Sequence, residues 1–318
     1  MLRVRTVDNI DDFVGAPDDP DDYRDLVGGM WESGASRPEW CFVAEDGPTR
    51  VGRIGFRTSP TVSNPAWAGS LPSDELFAYG LELPWDGDFV GPGKRLIAEA
   101  AAAISGTVPD LLQVGVNNDF HQRTAERGRF LTAAGMTLFQ EKHGFTWDDD
   151  GRYLETSGLL GFRTVNDIGL DAYRAVMAPC GAGTLDRNDL YYWTGCGPEN
   201  WASQMTEFLD EEDADMWLVG FRDDDPVGYI AVSSDEDWGA TIAHVGVLPR
   251  HRGNGYIREL LVAANRATRD HGIRTMLSDV DTLNQPMKAA MARTGHVENP
   301  DRWHLWTFRA DLASLTTA

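Results

Sequence analysis

The residues best suited to chemistry stand together in the run Val245-Gly246-Val247-Leu248-Pro249-Arg250-His251-Arg252-Gly253-Asn254-Gly255-Tyr256. The run reads as the end of a strand, a turn with two glycines and the start of a helix. Glycines let a backbone come close to a bulky anion, and the first amides of a helix are unpaired donors at its positive end. Arg250 and Arg252 add charge where a diphosphate would sit. Pro249 stops the strand. A doubly wound dinucleotide site wants a third glycine where Arg258 stands, and a P-loop wants Gly-Lys-Ser/Thr, which the run lacks. An ordinary glycine turn without a ligand is the bland alternative.

Groups able to move a proton lie close by. His244 precedes the run and shares a strand face with Gly246 and Leu248. Asp279 and Asp281 share one face of a later strand, Asp281 being equally suited to capping or to a turn before Asn284. Asn284 can cap a helix opening at Pro286, since proline suits the first helical position. A histidine on a strand is also a common structural residue.

These residues need a strand, a loop and a long helix to position them, and the second half of the chain supplies all three. Its pattern predicts strands at 158–165, 216–222, 226–233 and 241–247, then a helix to Asp270. Ile257, Leu260, Leu261 and Ala264 give that helix its apolar face, and Gly272 suits its C-terminal cap. A strand at 275–281, a helix at 286–294 and a strand at 303–308 follow. Before them come helices at 170–177 and 198–209, joined by an aromatic-rich connection containing Asp186, Arg187 and Tyr191-Tyr192-Trp193. Those aromatics can wall a binding site or pack against the first half. The first half shows the same order: strands at 2–7, 41–45, 50–58, 75–83 and 111–116, helices near 21–33, 94–105 and 123–134, and strands at 136–142 and 144–147. Asp148-Asp149-Asp150-Gly151 has the composition of a linker, so domains of 1–150 and 151–318 are expected.

A length of 318 residues suits two domains, and 42% hydrophobic content suits an ordinary core in each. A net charge of −22 argues against nucleic acid as a partner. It suits a cationic substrate, or simply a solvated acidic surface with runs such as 18–22 and 148–150. No apolar stretch is long enough for a membrane helix, and the first residues lack a signal-peptide pattern. The three cysteines, Cys41, Cys180 and Cys196, have no metal-binding or disulfide spacing. No metal is expected, and a cytoplasmic location is.

Arg250-His251-Arg252-Gly253-Asn254-Gly255 resembles the Arg/Gln-x-x-Gly-x-Gly/Ala signature of the GNAT (N-acetyltransferase) superfamily. The segment from Asp281 through Asn284 and Met287 to Gly295 resembles that family's later strand and closing helix. The first half is similar to the same fold with its loop degraded: Phe89-Val90-Gly91-Pro92-Gly93-Lys94 keeps two glycines, but Asp88 stands where arginine or glutamine belongs. With His121, Arg129, Phe130, Leu131, Gly135, the run 139–142 and Trp147, it resembles tandem-GNAT proteins of actinobacterial type.

The resemblance implies two tandem α/β folds, each a mixed, mostly antiparallel sheet flanked by helices. It implies acetyl-CoA (acyl-CoA) held at Val245, Val247, Arg250, Arg252, Gly253, Asn254, Gly255, Tyr256, Asn284 and Met287. The implied activity is acetylation of a primary amine on a small molecule, with His244 and Asp281 as candidate proton-handling residues. A tyrosine often serves the family as acid on the last helix, but Met291 occupies that position. A CoA-binding regulatory protein and a peptidyl-type acyltransferase are the alternatives. The first half is expected to be structural or to shape the cleft.

Overall fold

A computed structural model describes residues 2–15, 22–58, 76–104, 112–117, 123–151, 154–207, 209, 211–235 and 239–307. Residues 18–21 of the first acidic run and His121 lie outside them. The chain divides into two compact units, Met1–Phe139 with Trp303–Ala318, and Gln140–Arg302.

In the N-terminal unit, β1 (Leu2–Thr6) leads through α1 (Ile10–Phe13) and α2 (Tyr23–Glu32) to β2 (Cys41–Asp46), β3 (Thr49–Thr58) and β4 (Leu76–Glu82). Then come α3 (Val90–Ile104), β5 (Leu112–Asn117) and α4 (Thr124–Ala133). Strands β1 to β4 pair antiparallel in sequence order, and β4 runs parallel to β5. Apolar residues of β2, β3 and β4 meet Leu96, Ile97 and Ala100 of α3 and Phe130 of α4 in one core.

The chain continues through β6 (Thr137–Asp148), β7 (Gly161–Thr164), α5 (Val165–Ile168), α6 (Leu170–Met177), α7 (Arg187–Cys196) and α8 (Pro198–Glu207). It then forms β8 (Trp217–Arg222), β9 (Asp225–Asp235), β10 (Gly239–Val247), α9 (Tyr256–Asp270), β11 (Thr275–Asp281), α10 (Gln285–Arg293) and β12 (Val297–Thr307). In the C-terminal unit β7 to β10 pair antiparallel, β10 runs parallel to β11, and β11 pairs antiparallel with β6 from Lys142 to Asp148. The apolar face of α9, with Leu260, Leu261 and Ala264 buried, packs on Ile230, Val232 and Ala240. Gly272 ends α9 at positive φ: its amide donates to the Arg269 carbonyl and that of Ile273 to Thr268, which closes the helix end as expected.

Two features of β10 shape the site. It pairs with β11 only at Ala240 and Thr241, so the strands part beyond that point. Its register with β9 slips between Ile242 and His244, a bulge that re-aims the side chains near His244.

The expected α/β architecture, with mixed and mostly antiparallel strand pairing flanked by helices, is the one observed in each unit. Four local expectations differ. The aromatic-rich connection contains α7, because Asp186 caps it by accepting from the amides of Asn188 and Asp189. The strands expected at 136–142 and 144–147 are one strand, β6, since Gly144 keeps its ladder partner Asp279. The helix expected from 94 starts at Val90, with Gly91, Pro92 and Gly93 in its first turn. Strand β12 starts at Val297, before the expected 303. The division at 150/151 was linear, whereas the compact units assign residues 140–148 to the C-terminal unit and 303–307 to the N-terminal one. Pairing of β6 with β11, and of Trp303–Thr307 with β5, accounts for this.

Candidate active site

Beyond Val247 the chain passes Pro249 and reaches Gly253 and Gly255, with φ of 80° and 79°. Glycine adopts this left-handed backbone without the penalty a side chain brings. No side chain caps α9 at Gly255, leaving its first amides available to a ligand. A Cβ built at Gly253 or Gly255 meets no atom within 4 Å. A cavity of about 420 Å³ opens there. Val245 and Val247 form its strand wall, Arg252, Gly253, Gly255 and Tyr256 its loop wall, and Asn284 and Met287 its far side. The parted strands, open glycines and uncapped helix end fit a diphosphate with an extended arm.

Two expected cofactor residues face elsewhere. Arg250 donates to Asp225 (2.8 Å) and the Pro226 carbonyl, and holds the Asp225 carboxyl below its ordinary value. Asn254 braces the turn by donating to the carbonyls of His251 and Arg252. Asn284 lines the cavity and also caps α10, accepting from the Met287 amide at 3.2 Å.

A second cavity of about 250 Å³ shares Thr184, Val245, Asn284 and Met287 with the first. It continues to His244, Asp186, Asp189 and Asp279. The His244 ring stacks on Tyr229, takes the edge of Trp201 at 5.1 Å between centroids, and has both nitrogens engaged. Asp189 Oδ1 lies 3.2 Å from Nε2 and the Tyr229 hydroxyl 2.7 Å from Nδ1. A carboxylate only accepts, so the proton of neutral His244 belongs on Nε2, and Tyr229 donates to Nδ1. Burial pulls the His244 pKa down, but the charge and hydrogen bond of Asp189, aided by Asp186, outweigh it and the value is raised. Burial pushes the Tyr229 phenol up, so it stays neutral.

Lys142, on β6, lies 2.9 Å from Asp279 and 3.3 Å from Asp186. Its burial alone disfavours the charge, yet Asp186, Asp279 and Asp189 raise its pKa. Asp281 is almost fully buried and receives two hydrogen bonds from the Arg187 guanidinium, at 2.8 and 2.9 Å. Gln140 and the Leu283 amide donate to it as well. His244 and Asp281 therefore line one cavity, but the charge beside His244 is Asp189. Sequence reasoning missed Asp189, although Asp186-Arg187-Asn188-Asp189 carries a helix-start signal, an acidic cap followed by an acid in the first turn. It also missed Lys142 and Tyr229, which carried no local signal. Met291 is buried in the wall of the second cavity.

The N-terminal unit has a cavity of about 510 Å³ lined by Arg50, Arg53, Trp85, Asp86 and Arg123 among others. Arg50 and Arg53 donate to main-chain carbonyls at Asp12, Phe13 and Gly80, and Arg123 pairs with Asp86 at 2.7 Å. Among the described residues no group of three or more His, Cys, Asp or Glu is placed to hold a metal ion, and no helix is long and apolar enough to cross a membrane.

Residues 187–296 match the profile of the Acetyltransferase (GNAT) family. That segment is similar to the GNAT N-acetyltransferases. A GCN5-related N-acetyltransferase from Sphaerobacter thermophilus is similar in structure, with a TM-score of 0.65 at 18% identity over 96% of this chain and 95% of its own. A tandem GNAT protein from the clavulanic acid biosynthesis pathway gives 0.53 at 17% identity, over 84% of this chain and 81% of its own. A GCN5-related N-acetyltransferase from Kribbella flavida gives 0.53 at 15% identity, over 83% and 90%. These likenesses establish the tandem GNAT fold. Comparison with curated protein sequences found no match.

Proposed function

We propose that the C-terminal unit transfers an acetyl group from acetyl-CoA to a primary amine of a small molecule. The observation that carries this reading is the meeting of two cavities at Val245 and Met287, one over the glycine loop and one beside the His244–Asp189 pair. Acetyl-CoA supplies a thioester, whose acyl carbon an uncharged amine attacks. An amine is mostly protonated near neutral pH, so the protein must take its proton. Asp189, which faces the cavity, accepts the amine's proton on its carboxylate, while His244 Nε2–H donates to Asp189 and Tyr229 holds the ring at Nδ1. Asp281 acts indirectly, through Arg187, by holding the start of α7 and hence Asp189. The carboxylates of the second cavity draw a cationic amine inward. The thiolate leaves without a tyrosine acid and takes its proton from solvent or from the pair.

The N-terminal unit, in this reading, is a degenerate GNAT domain that serves structurally. Three buried cysteines without a disulfide suit a cytoplasmic setting. Met291 at the usual acid position favours one competing reading, a protein that binds CoA without turnover. Calorimetry with acetyl-CoA, followed by thiol release with a panel of primary amines, tests both. One tight site with turnover is expected. Binding without thiol release from any amine supports the competing reading, and absence of binding defeats both.

A further inference from the structure

We propose that Arg252 is a positioning residue that straps the acceptor wall to the cofactor loop, rather than a ligand of the diphosphate. The naming of the two walls rests on the acyl-transfer reading above.

The guanidinium has five N–H donors, and it spends four hydrogen bonds on main-chain carbonyls. Nε donates to Val247 (3.1 Å), Nη1 to Ala182 (2.7 Å) and Gly183 (3.1 Å), and Nη2 to Cys180 (2.7 Å). One donor remains for an anion. Arg252 directly precedes Gly253, so its main chain belongs to the loop that faces the first cavity. Three of these carbonyls, those of Cys180, Ala182 and Gly183, belong to the turn between α6 and α7. That turn has two further anchors. Trp193 Nε1 donates to the Ala178 carbonyl at 2.8 Å, and Arg187 pairs with Asp281. Between the Arg252 and Arg187 anchors lie Thr184, which lines both cavities, and Leu185, which is 49% exposed at the first. Just beyond them Asp186 caps α7 and Asp189 meets His244.

A change at the glycine loop is thereby passed through Arg252 to residues 180–186, and from there to Asp189. A ligand that holds the loop still also stills the acceptor wall. Thermodynamic linkage makes the effect reciprocal, so an acceptor on that wall tightens the cofactor.

Hydrogen–deuterium exchange on the full chain, with and without acetyl-CoA, decides the matter together with calorimetry. In Arg252→Ala, exchange across 180–190 should rise roughly tenfold without ligand, as a loop loses its anchoring bonds. Acetyl-CoA affinity should fall by no more than about fivefold, the scale of an exposed charge. Addition of acetyl-CoA should slow exchange at 180–190 in the wild type and not in the variant. Arg252→Lys keeps the charge but cannot fork across three carbonyls, so it should exchange like the alanine variant, and it decides the question if that variant does not fold. Unchanged exchange at 180–190 with a large loss of acetyl-CoA affinity overturns the proposal, as does a lysine variant that behaves like wild type. If wild-type protein binds no acetyl-CoA, the functional reading fails, while ligand-free exchange still decides the strap.

Discussion

In the N-terminal unit the chain leaves β4 through Pro84 and enters α3 at Val90; in the C-terminal unit it leaves β10 through Pro249 and enters α9 at Tyr256. Each helix start carries two glycines separated by one residue, Gly91 and Gly93 inside α3 and Gly253 and Gly255 just before α9, but they serve opposite purposes. Gly93 lies inside α3, where a Cβ would run into Phe130 and come within 2.7 Å of Leu83. Its missing side chain admits a neighbour in the core. Gly255 lies outside α9 at positive φ, where a Cβ meets nothing within 4 Å. Its missing side chain leaves room for a ligand. Trp85 completes the contrast, packing on Phe89 and Phe130 beside the N-terminal loop. Glycine spacing alone therefore does not decide whether a loop has room for a ligand; the space each absent side chain leaves does.

The contrast extends to the strands. Five residues before the strand-ending proline stands Tyr79 in one unit and His244 in the other (84 − 79 = 5; 249 − 244 = 5). The Tyr79 hydroxyl is spent on Cys41 at 3.2 Å and Ser36 at 3.0 Å, and burial pushes its pKa upward. His244 is paired with a carboxylate at the edge of a cavity. The half-buried Tyr79 packs against a core, whereas His244 lies at a cavity beside a carboxylate.

The largest expected effect breaks this comparison at the glycines. Gly255→Asp should weaken acetyl-CoA binding roughly 100-fold or more: a left-handed backbone costs a side-chain-bearing residue about 1–2 kcal/mol, and the carboxylate repels a diphosphate. Gly93→Ala should instead lower stability by about 1–3 kcal/mol through overpacking, with acetyl-CoA affinity unchanged. Calorimetry and thermal melting of both variants check this; equal loss of affinity would place a ligand at each loop.

Next in size is the proton step. His244→Ala or Asp189→Asn should lower kcat by about 10²–10⁴-fold, the usual range for a general base, while acetyl-CoA affinity holds. Tyr79→Phe in the other unit should leave kcat untouched. Steady-state thiol release measures all three. The sign of the pH dependence follows from the raised His244 pKa. Asp189 accepts a proton more readily once His244 beside it is neutral, so kcat should climb with pH through a value above the ordinary histidine 6.5. In Asp189→Asn that midpoint should move down, because the raising charge is gone. The same shift stabilises the fold: the contribution of the pair is full below the unfolded histidine value and fades as pH rises through the folded one. A profile that falls over this range would reverse the assignment.

How much of this was legible beforehand depends on the range of the interaction. The glycine loop, the α9 stripe and the Gly272 cap are local patterns, and each stands where the spacing placed it. The start of α3 was misjudged because Gly91-Pro92-Gly93 reads as a loop, and only packing against Phe130 and Leu83 explains why it is helical. The partner of His244 was harder still. Asp189 is 55 residues away in the chain, and it arrives only because Asp186 starts a helix and Arg187 anchors it to Asp281. Asp281 drew attention as a carboxylate beside the expected site, but its hydrogen-bonding capacity is absorbed by Arg187, Gln140 and Leu283. Trading of strands between the units rests on pairing across more than 100 residues, such as Asp148 with Thr275, and no local pattern carries that.

The smallest expected effect sharpens the comparison within the loop itself. Arg250→Ala should weaken acetyl-CoA binding by less than about fivefold, even though its charge stands at the first position of the family signature. Arg250 is engaged with Asp225, and both side chains are about half exposed, at 56% and 52%. To meet a diphosphate the guanidinium must leave that carboxylate, so binding gains only the difference between two screened attractions. His251 also contacts Asp225, at 2.9 Å, and keeps a partner there when the arginine is removed. Main-chain donors at Gly253, Gly255 and the start of α9 need no such exchange, because no side chain caps that helix. They should therefore carry most of the phosphate recognition. The residual effect of Arg250 should shrink further with added salt, which screens exposed charges. Titration of Arg250→Ala at low and high ionic strength measures it. A loss approaching that of Gly255→Asp, persistent in salt, would move the recognition from the backbone to the arginine.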